Sequence, residues 1–260
     1  MSLLRSLSFA VGAGLLFGAA HIAAADTISI HGAVLKPGSY QWHADARMRD
    51  AAVAGQVRAS AWSPGAALLR ASAVEPQQRL KAGVLYDLRV NRLQALTDND
   101  TALHALTERL TEQVTAMPVT GRVVAELDPF QLLLPHKNPL LEPGDTLLYP
   151  TRPVQVRVMG AVMTDCELAF DAALALKDYL GQCPPHAAAD RSIVHIIQPD
   201  GQVQEVGIAH WNAQQVNLAV GAVIYRPLKA ALISADTPDL NKDIAALLAT
   251  QYALGGRFGE

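Results

Sequence analysis

Aromatic residues and clusters of basic residues are scarce in this sequence. Only 5% of the 260 residues are aromatic, and 21 Lys and Arg against 24 Asp and Glu give a net charge of −3 at pH 7. No run of Lys or Arg occurs, whereas binding to nucleic acid or anionic lipid requires a basic patch. The few aromatic residues also argue against an extended groove that stacks on sugar rings. Nucleic acid is therefore not an expected partner.

The sequence also lacks the motifs that carry most enzyme chemistry. None of its eight histidines is spaced as His-x-His or His-x-x-x-His, so it has no zinc signature. It contains no Gly-x-Ser-x-Gly elbow, no phosphate-binding glycine loop and no dinucleotide-binding fingerprint. We predict no catalytic residue, no metal and no cofactor, which favours binding or assembly. The alternative is an enzyme in which the fold brings together two carboxylates that are distant in the sequence.

Long apolar runs are absent except near the N-terminus. Arg5 precedes an apolar run over residues 7–20 that is too short to span a bilayer, and three alanines stand at 23–25, directly before Asp26. This arrangement predicts a signal peptide at residues 1–25, export of the protein, and no integral membrane segment after cleavage. An uncleaved N-terminal anchor is the alternative.

Part of the sequence occurs twice. Residues 28–34 (Ile-x-Ile-x-Gly-Ala-Val) match residues 156–162 (Val-x-Val-x-Gly-Ala-Val) at an offset of 128 with no gap. A second match, at an offset of 77, aligns the Leu-x-x-Gly-x-x-Leu-x-x-Pro pattern of residues 141–150 with residues 218–227. Because the two offsets differ by 51 residues, the simplest explanation is one small domain used twice, with an insertion of about that length in the first copy.

Both copies have the element order of a β-grasp domain: two strands, a helix, then more strands. In the first copy the pattern predicts strands near 27–30, 40–42, 66–69 and 145–149 and a helix over 47–54. In the second it predicts strands at 154–162, 168–170, 192–197, from 203 and at 223–225, and a helix over 173–180. We predict an α+β fold with β-grasp domains at residues 26–152 and 153–230.

The extra material in the first copy predicts a helical hairpin at about residues 76–117. Five apolar residues form a helical stripe that starts after Asp98 or Asp100 and ends before Pro118: Leu103, Leu106, Leu110, Val114 and Met117. The apolar faces are expected to pack on each other or on a sheet, and the outer faces to meet water or a partner. Excising 76–117 is then expected to leave a folded but inactive protein, whereas unfolding would make the insertion structural.

A last amphipathic helix, with a tail, is predicted within residues 231–260. Thr237 is expected to cap it and Gly255 to end it. One apolar stripe runs along it: Leu240, Ile244, Leu247, Leu248 and Tyr252. The stripe either packs on its own domain or docks on another protein; a membrane surface is the weaker choice because Lys242 is the only basic residue of the helix.

The two cysteines occupy related positions. Under the repeat alignment, Cys166 and Cys183 replace Gly38 and Gly55, in the turn after the first strand and at the end of the helix. These two places are neighbours in a β-grasp domain, so we predict a disulfide in an oxidising compartment. Two separate free thiols are the alternative.

The order of these motifs resembles a known family. Val-x-Val-x-Gly-x-Val, a following Pro-Gly, a helix ending in Ala-Gly and a closing Leu-x-x-Gly-Asp-x-Leu-x-x-Pro are similar to the SLBB-type β-grasp domains of bacterial polysaccharide export proteins. The whole chain resembles periplasmic capsule-biosynthesis proteins of the GfcC type, which combine a signal peptide, tandem β-grasp domains, an inserted helical hairpin and a C-terminal amphipathic helix. The second copy departs from this pattern, with Thr164-Asp165-Cys166 in place of Pro-Gly.

The resemblance implies a non-enzymatic, periplasmic accessory protein of capsule or exopolysaccharide biosynthesis and export. Its implied partners are polysaccharide or capsule export and assembly proteins, and a monomer is expected. The candidate binding residues are Arg92 and Arg109 on the hairpin and two possible sugar-stacking aromatics, Trp211 and Tyr225. The alternatives are a periplasmic polysaccharide-modifying enzyme and a ligand-binding β-grasp module unrelated to capsule.

Overall fold

A computed structural model describes residues 27–252. The predicted signal peptide at residues 1–25 lies outside these residues. The described strands are β1 (Thr27–Gly32), β2 (Gly38–Gln41), β3 (Ala67–Leu69), β4 (Arg122–Val123), β5 (Thr146–Tyr149), β6 (Gln155–Gly160), β7 (Cys166–Ala169), β8 (Ile193–Ile197), β9 (Val203–Gly207) and β10 (Val223–Arg226). The α-helices are α1 (Met48–Gly55), α2 (Val74–Thr97), α3 (Thr101–Ala116), α4 (Leu176–Gln182) and α5 (Leu240–Ala249).

The strands form two five-stranded sheets of identical topology. The first sheet has the order β2-β1-β5-β3-β4 and the second β7-β6-β10-β8-β9. In each sheet the first strand and the closing strand run parallel, with Ile30 opposite Leu147 in one and Val158 opposite Ile224 in the other. These pairs are related by the offsets of 128 and 77 that the sequence repeat predicts. The α+β fold with two tandem β-grasp domains is confirmed.

The repeated glycine at the end of the first strand is a steric requirement. Gly32 and Gly160 have φ values of +94° and +100°, a region that side chains other than glycine rarely adopt. A Cβ atom on Gly32 would lie 2.1 Å from the Tyr149 carbonyl oxygen, and one on Gly160 would lie 2.5 Å from that of Arg226. Both glycines therefore let the chain cross closely over the end of the closing strand.

The short helices of the two copies begin in the same way. The backbone N–H of Arg47 donates to the Asp50 carboxylate at 3.0 Å, and that of Ala175 donates to the Asp178 carboxylate at 2.8 Å. Helix α4 begins later than the predicted residue 173 because the Asp171 carboxylate instead accepts the Ala173 N–H at 2.8 Å and holds a turn there. Both repeated aspartates thus stabilise helix N-termini.

The hairpin, formed by α2 and α3, belongs to the first domain in sequence but packs on the second. Its buried apolar residues share one core with α5 and with the outer face of the second sheet, the face opposite α4. Alternate residues of β10 divide between the two faces: Val223 and Tyr225 pack on the hairpin side, Ile224 on the α4 side. The second sheet is therefore the middle layer of three.

Helix α5 buries its apolar stripe within the molecule. Leu240, Ile244, Leu247 and Leu248 are at most 3% exposed and lie in the core shared with the hairpin. The predicted helix end at Gly255 is wrong, because the helix ends at Ala249, and Tyr252 of the predicted stripe therefore lies beyond it. The predicted cap at Thr237 is wrong, because the helix begins at Leu240 and the Thr237 hydroxyl instead accepts a hydrogen bond from Asn91 of α2 at 2.8 Å. The stripe is consequently not available to a partner or a membrane. Among residues 27–252 no helix is both long and apolar enough to cross a bilayer.

We predict that Leu88→Ala destabilises the protein. Leu88 is fully buried in the core between the hairpin, α5 and the second sheet, and truncation of such a leucine costs about 2–5 kcal/mol. Urea unfolding measures the change. Leu96→Ala is the matched control on the same helix, since Leu96 is 54% exposed and its loss should cost less than about 0.5 kcal/mol. Equal effects of the two substitutions would contradict the assigned packing.

Contrary to the expectation that the protein still folds without residues 76–117, the packing of the hairpin favours a structural role for the insertion. Excising residues 76–117 would remove the hairpin's part of the core that it shares with Val223, Tyr225 and the stripe of α5. We expect the shortened protein to lose its cooperative thermal transition and to bind a hydrophobic dye such as ANS. A cooperative transition with no dye binding would overturn this expectation.

Candidate functional site

A cleft of about 520 Å³ lies between the two β-grasp domains. The first domain contributes the chain crossing after β1, the segment between α1 and β3, strand β4 and the end of β5. The second contributes residues 153–157, the turn after β8 and the start of β10, and the end of α5 closes one side. We refer to this space as the cleft.

Arg122 of β4 joins the two domains beneath the cleft. Its side chain is buried, and its guanidinium donates to the backbone carbonyls of Pro199 and Gln251, the latter at 2.6 Å. No carboxylate of the described residues lies within ion-pair distance. Burial lowers the pKa of Arg122 to about 10, and the more distant Asp200 offsets only part of that shift. The cleft therefore rests on a buried positive charge that only neutral carbonyls contact.

Trp62 forms one wall of the cleft. Its backbone N–H donates to the Pro150 carbonyl at 2.7 Å, and the Arg152 guanidinium lies 4.9 Å from the centre of its ring. Gly65 leaves room for the indole, since a Cβ atom there would come within 2.8 Å of the Trp62 ring. The position of this ring is thus fixed by a glycine, a backbone hydrogen bond and a cation.

Two further arginines line the cleft. Arg157 of β6 forms an ion pair with Glu167 on the neighbouring strand, and Gln155 donates to the other oxygen of that carboxylate at 3.2 Å. Arg58 is exposed, and its Nε donates to the Val34 carbonyl at 3.2 Å. No Asp or Glu belongs to the lining among the described residues. The walls therefore offer hydrogen-bond donors and positive charge.

Arg109 is placed between the domains and not on a free outer face. Its guanidinium donates to the Gly160 and Val162 carbonyls at 3.0 and 2.6 Å and pairs with Asp165 at 3.2 Å. Burial raises the pKa of Asp165, and Arg109 is the largest influence in the opposite direction. Contrary to the expectation for the outer faces of the hairpin, this side chain attaches α3 to the crossing after β6.

The other predicted binding residues do not meet in one place. Arg92 lies 4.0 Å from Glu108 within the hairpin and is about one-third exposed. Trp211 is 78% exposed in the segment after β9 and does not line the cleft. The assignment of Tyr225 as a sugar-stacking ring is wrong, since it is 1% exposed, and its hydroxyl donates to Asn241 at 3.2 Å.

Cys166 and Cys183 form a disulfide, with their Cα atoms 6.0 Å apart. The bond joins the start of β7 to the residue after α4, away from the cleft. Residues 27–252 hold no cluster of His, Cys, Asp and Glu that could bind a metal.

The sequence patterns did not predict the four residues that supply the positive charge and the indole of the cleft: Arg58, Trp62, Arg122 and Arg157. The first three lie outside the repeated segments, and β4 is too short to produce a periodic pattern. One signal was present, however. Arg157 stands where the first copy has Ser29, in a strand whose alternate apolar residues and following glycine match between the copies.

We predict that Arg109→Ala lowers the free energy of unfolding by about 1–3 kcal/mol at pH 7, because it removes charged hydrogen bonds to two carbonyls. Asp165→Asn, the matched control, should cost less than about 1 kcal/mol, since the ion pair is partly exposed.

The loss in Arg109→Ala should also depend on pH. The folded-state pKa of Asp165 lies above its ordinary value, so its contribution to stability is present below the unfolded pKa and is lost as pH rises through the folded value. Without Arg109 the folded pKa rises further, and urea unfolding should show a larger defect at pH 7 than at about pH 3. A defect independent of pH would contradict the assigned pair.

Comparison with known proteins places both domains in one family. The model of the N-terminal domain of the capsule-biosynthesis protein GfcC matches residues 24–153, and that of its C-terminal domain matches residues 164–253. A protein of Escherichia coli strain K12, described as uncharacterized protein YjbG, is 31% identical over 197 residues, which cover 75% of this chain and 78% of that protein. The matched ranges include the hairpin, α5 and most of the cleft lining, but not Val154, Gln155 and Arg157. The chain thus belongs to the GfcC family of capsule-biosynthesis proteins.

Proposed function

We propose that this protein is a periplasmic, non-enzymatic accessory of capsule or exopolysaccharide assembly and export. It acts by binding polysaccharide or the proteins that assemble and export it. The family to which the chain belongs supports the capsule-related role.

Two features support a periplasmic location. The first 25 residues have the charge and length pattern of a signal peptide. The disulfide between Cys166 and Cys183 fits an oxidising compartment, because thiols in the cytosol are kept reduced.

The observation that carries a binding role is the cleft. Concave sites between domains, with a few convergent polar groups, are the usual places where proteins bind small ligands or segments of polymers. The hairpin and Arg109 attach the two domains to each other on one side of the molecule, and Arg122 attaches them beneath the cleft. A cleft with walls held in this way binds a ligand with little loss of conformational entropy.

The lining of the cleft also supports binding over hydrolysis. Hydrolysis of a glycosidic bond generally uses two carboxyl groups on opposite sides of that bond. The described lining residues instead present arginine, indole and amide donors. Such groups hold a glycan through its oxygen atoms.

We predict that deleting the gene lowers the amount of assembled surface polysaccharide, measured by extraction and sugar analysis of intact cells. A plasmid copy of the full gene should restore it. A copy that lacks codons 2–25 should not, because the protein would stay in the cytoplasm. Unchanged surface polysaccharide in the deletion strain would overturn the proposed function, and full rescue by the shortened copy would overturn the periplasmic location.

A further inference from the structure

We propose that the cleft is a binding site for an acidic segment of glycan, whose carboxylate groups lie against Arg58 and Arg122. This inference rests on the proposed function and adds to it a site and a class of ligand.

The charge of the cleft is opposite to that of the protein. The chain carries a net charge of −3, yet the described lining contains Arg58, Arg122 and Arg157 and no acidic residue. Glu167 neutralises Arg157, whereas no carboxylate of the described residues pairs with Arg58 or Arg122. A cleft with low-dielectric walls and one sign of charge concentrates ligands of the other sign.

The burial of Arg122 makes an anionic ligand energetically favourable. This side chain is 6% exposed, and a buried cation without a counter-ion is costly for the fold. The depressed pKa of Arg122 has the same origin. A carboxylate that enters the cleft would supply the missing negative charge at a place where few waters screen it.

Unpaired donors are concentrated at the same place. Among the described residues four buried side-chain donors have no acceptor, and three of them belong to the cleft lining: Trp62 Nε1, Arg122 Nε and Arg157 Nε. Buried donors are ordinarily paired, so such a concentration calls for a cause. A ligand rich in acceptor oxygens, together with the small side-chain adjustments that accompany binding, would provide partners.

The size and the opening of the cleft suit a short part of a polymer. A volume of about 520 Å³ lies within the range of about 300–1,000 Å³ that is usual for small-molecule sites. Arg58, Ser60 and Thr151 are exposed at its edge, whereas Arg122 and Tyr149 are buried at its base. A protein partner would instead need about 800 Å² of surface on each side, so the concave site favours one or two sugar rings.

The test is isothermal titration calorimetry of the purified protein with two probes of equal length, hexagalacturonate and maltohexaose. We expect hexagalacturonate to bind and the neutral maltohexaose to bind at least about tenfold more weakly, because one charged hydrogen bond accounts for roughly that factor. Affinity for hexagalacturonate should fall as sodium chloride is raised, since the attraction is partly screened.

Substitutions locate the site. Arg58→Gln should weaken the binding of hexagalacturonate about tenfold, and Arg58→Lys should restore part of it. Because Arg58 is exposed, the thermal transition should stay unchanged in both variants. Arg79→Gln is the matched control: it removes one exposed arginine from α2, outside the cleft, and should leave the affinity unchanged.

Each contrary outcome has a defined meaning. No binding of hexagalacturonate, equal binding of maltohexaose, or equal losses in Arg58→Gln and Arg79→Gln would overturn the proposal. Displacement of hexagalacturonate by an equal concentration of inorganic phosphate would also overturn it, in favour of a simple anion site. If gene deletion lowers surface polysaccharide while hexagalacturonate does not bind, this inference fails and the proposed function stands. Unchanged surface polysaccharide overturns the proposed function whatever the titration gives.

Discussion

The apolar contact between the hairpin and the outer face of the second sheet sets the arrangement of the whole molecule. The hairpin leaves the first domain between β3 and β4, so the core that it shares with α5, Val223 and Tyr225 attaches one β-grasp domain to the other. Hydrogen bonds then define the orientation that burial alone leaves open, since apolar contacts are not directional. Arg109 reaches the crossing after β6, and Asn91 accepts from Ser234 at 2.9 Å in the segment before α5. This attachment sets the distance between the two walls of the cleft.

The two copies of the domain have kept one topology but secure the same junction with different chemistry. In the first copy the Tyr40 hydroxyl donates to the carbonyls of Lys36 and Ala54, which joins the turn before β2 to the end of α1. In the second the disulfide between Cys166 and Cys183 joins the equivalent places. The Tyr40 hydroxyl in the first copy and the disulfide in the second thus have the same effect. Each holds the helix against the first pair of strands.

Local pattern predicted the elements well, and long-range contacts account for what it missed. The glycines at 32 and 160 and the alternation in β1 and β6 follow from backbone sterics and a one-sided core, which sequence expresses within a few residues. The local sequence does not show which sheet the hairpin packs on, because an apolar stripe on α3 fits either sheet. Residues 223–225 of β10 are all apolar, as expected of a strand covered on both faces, but residues 147–149 of β5 are apolar too, so this pattern does not distinguish the two sheets. No local pattern indicated the role of Arg122, because the carbonyls that accept its hydrogen bonds lie about 80 and 130 residues away in the chain.

The position of the hairpin in the chain has a consequence for the order of folding. Strand β5 completes the first sheet only after the hairpin has been made, and the surface that covers the hairpin begins at β6 and ends with α5. Neither domain can therefore complete its packing before the other has been synthesised, although each has its own sheet. A chain synthesised N-terminus first presents two uncovered amphipathic helices until α5 has been made. Because the hairpin of the first copy and the second copy share one core, we expect the two halves to unfold as a single cooperative unit.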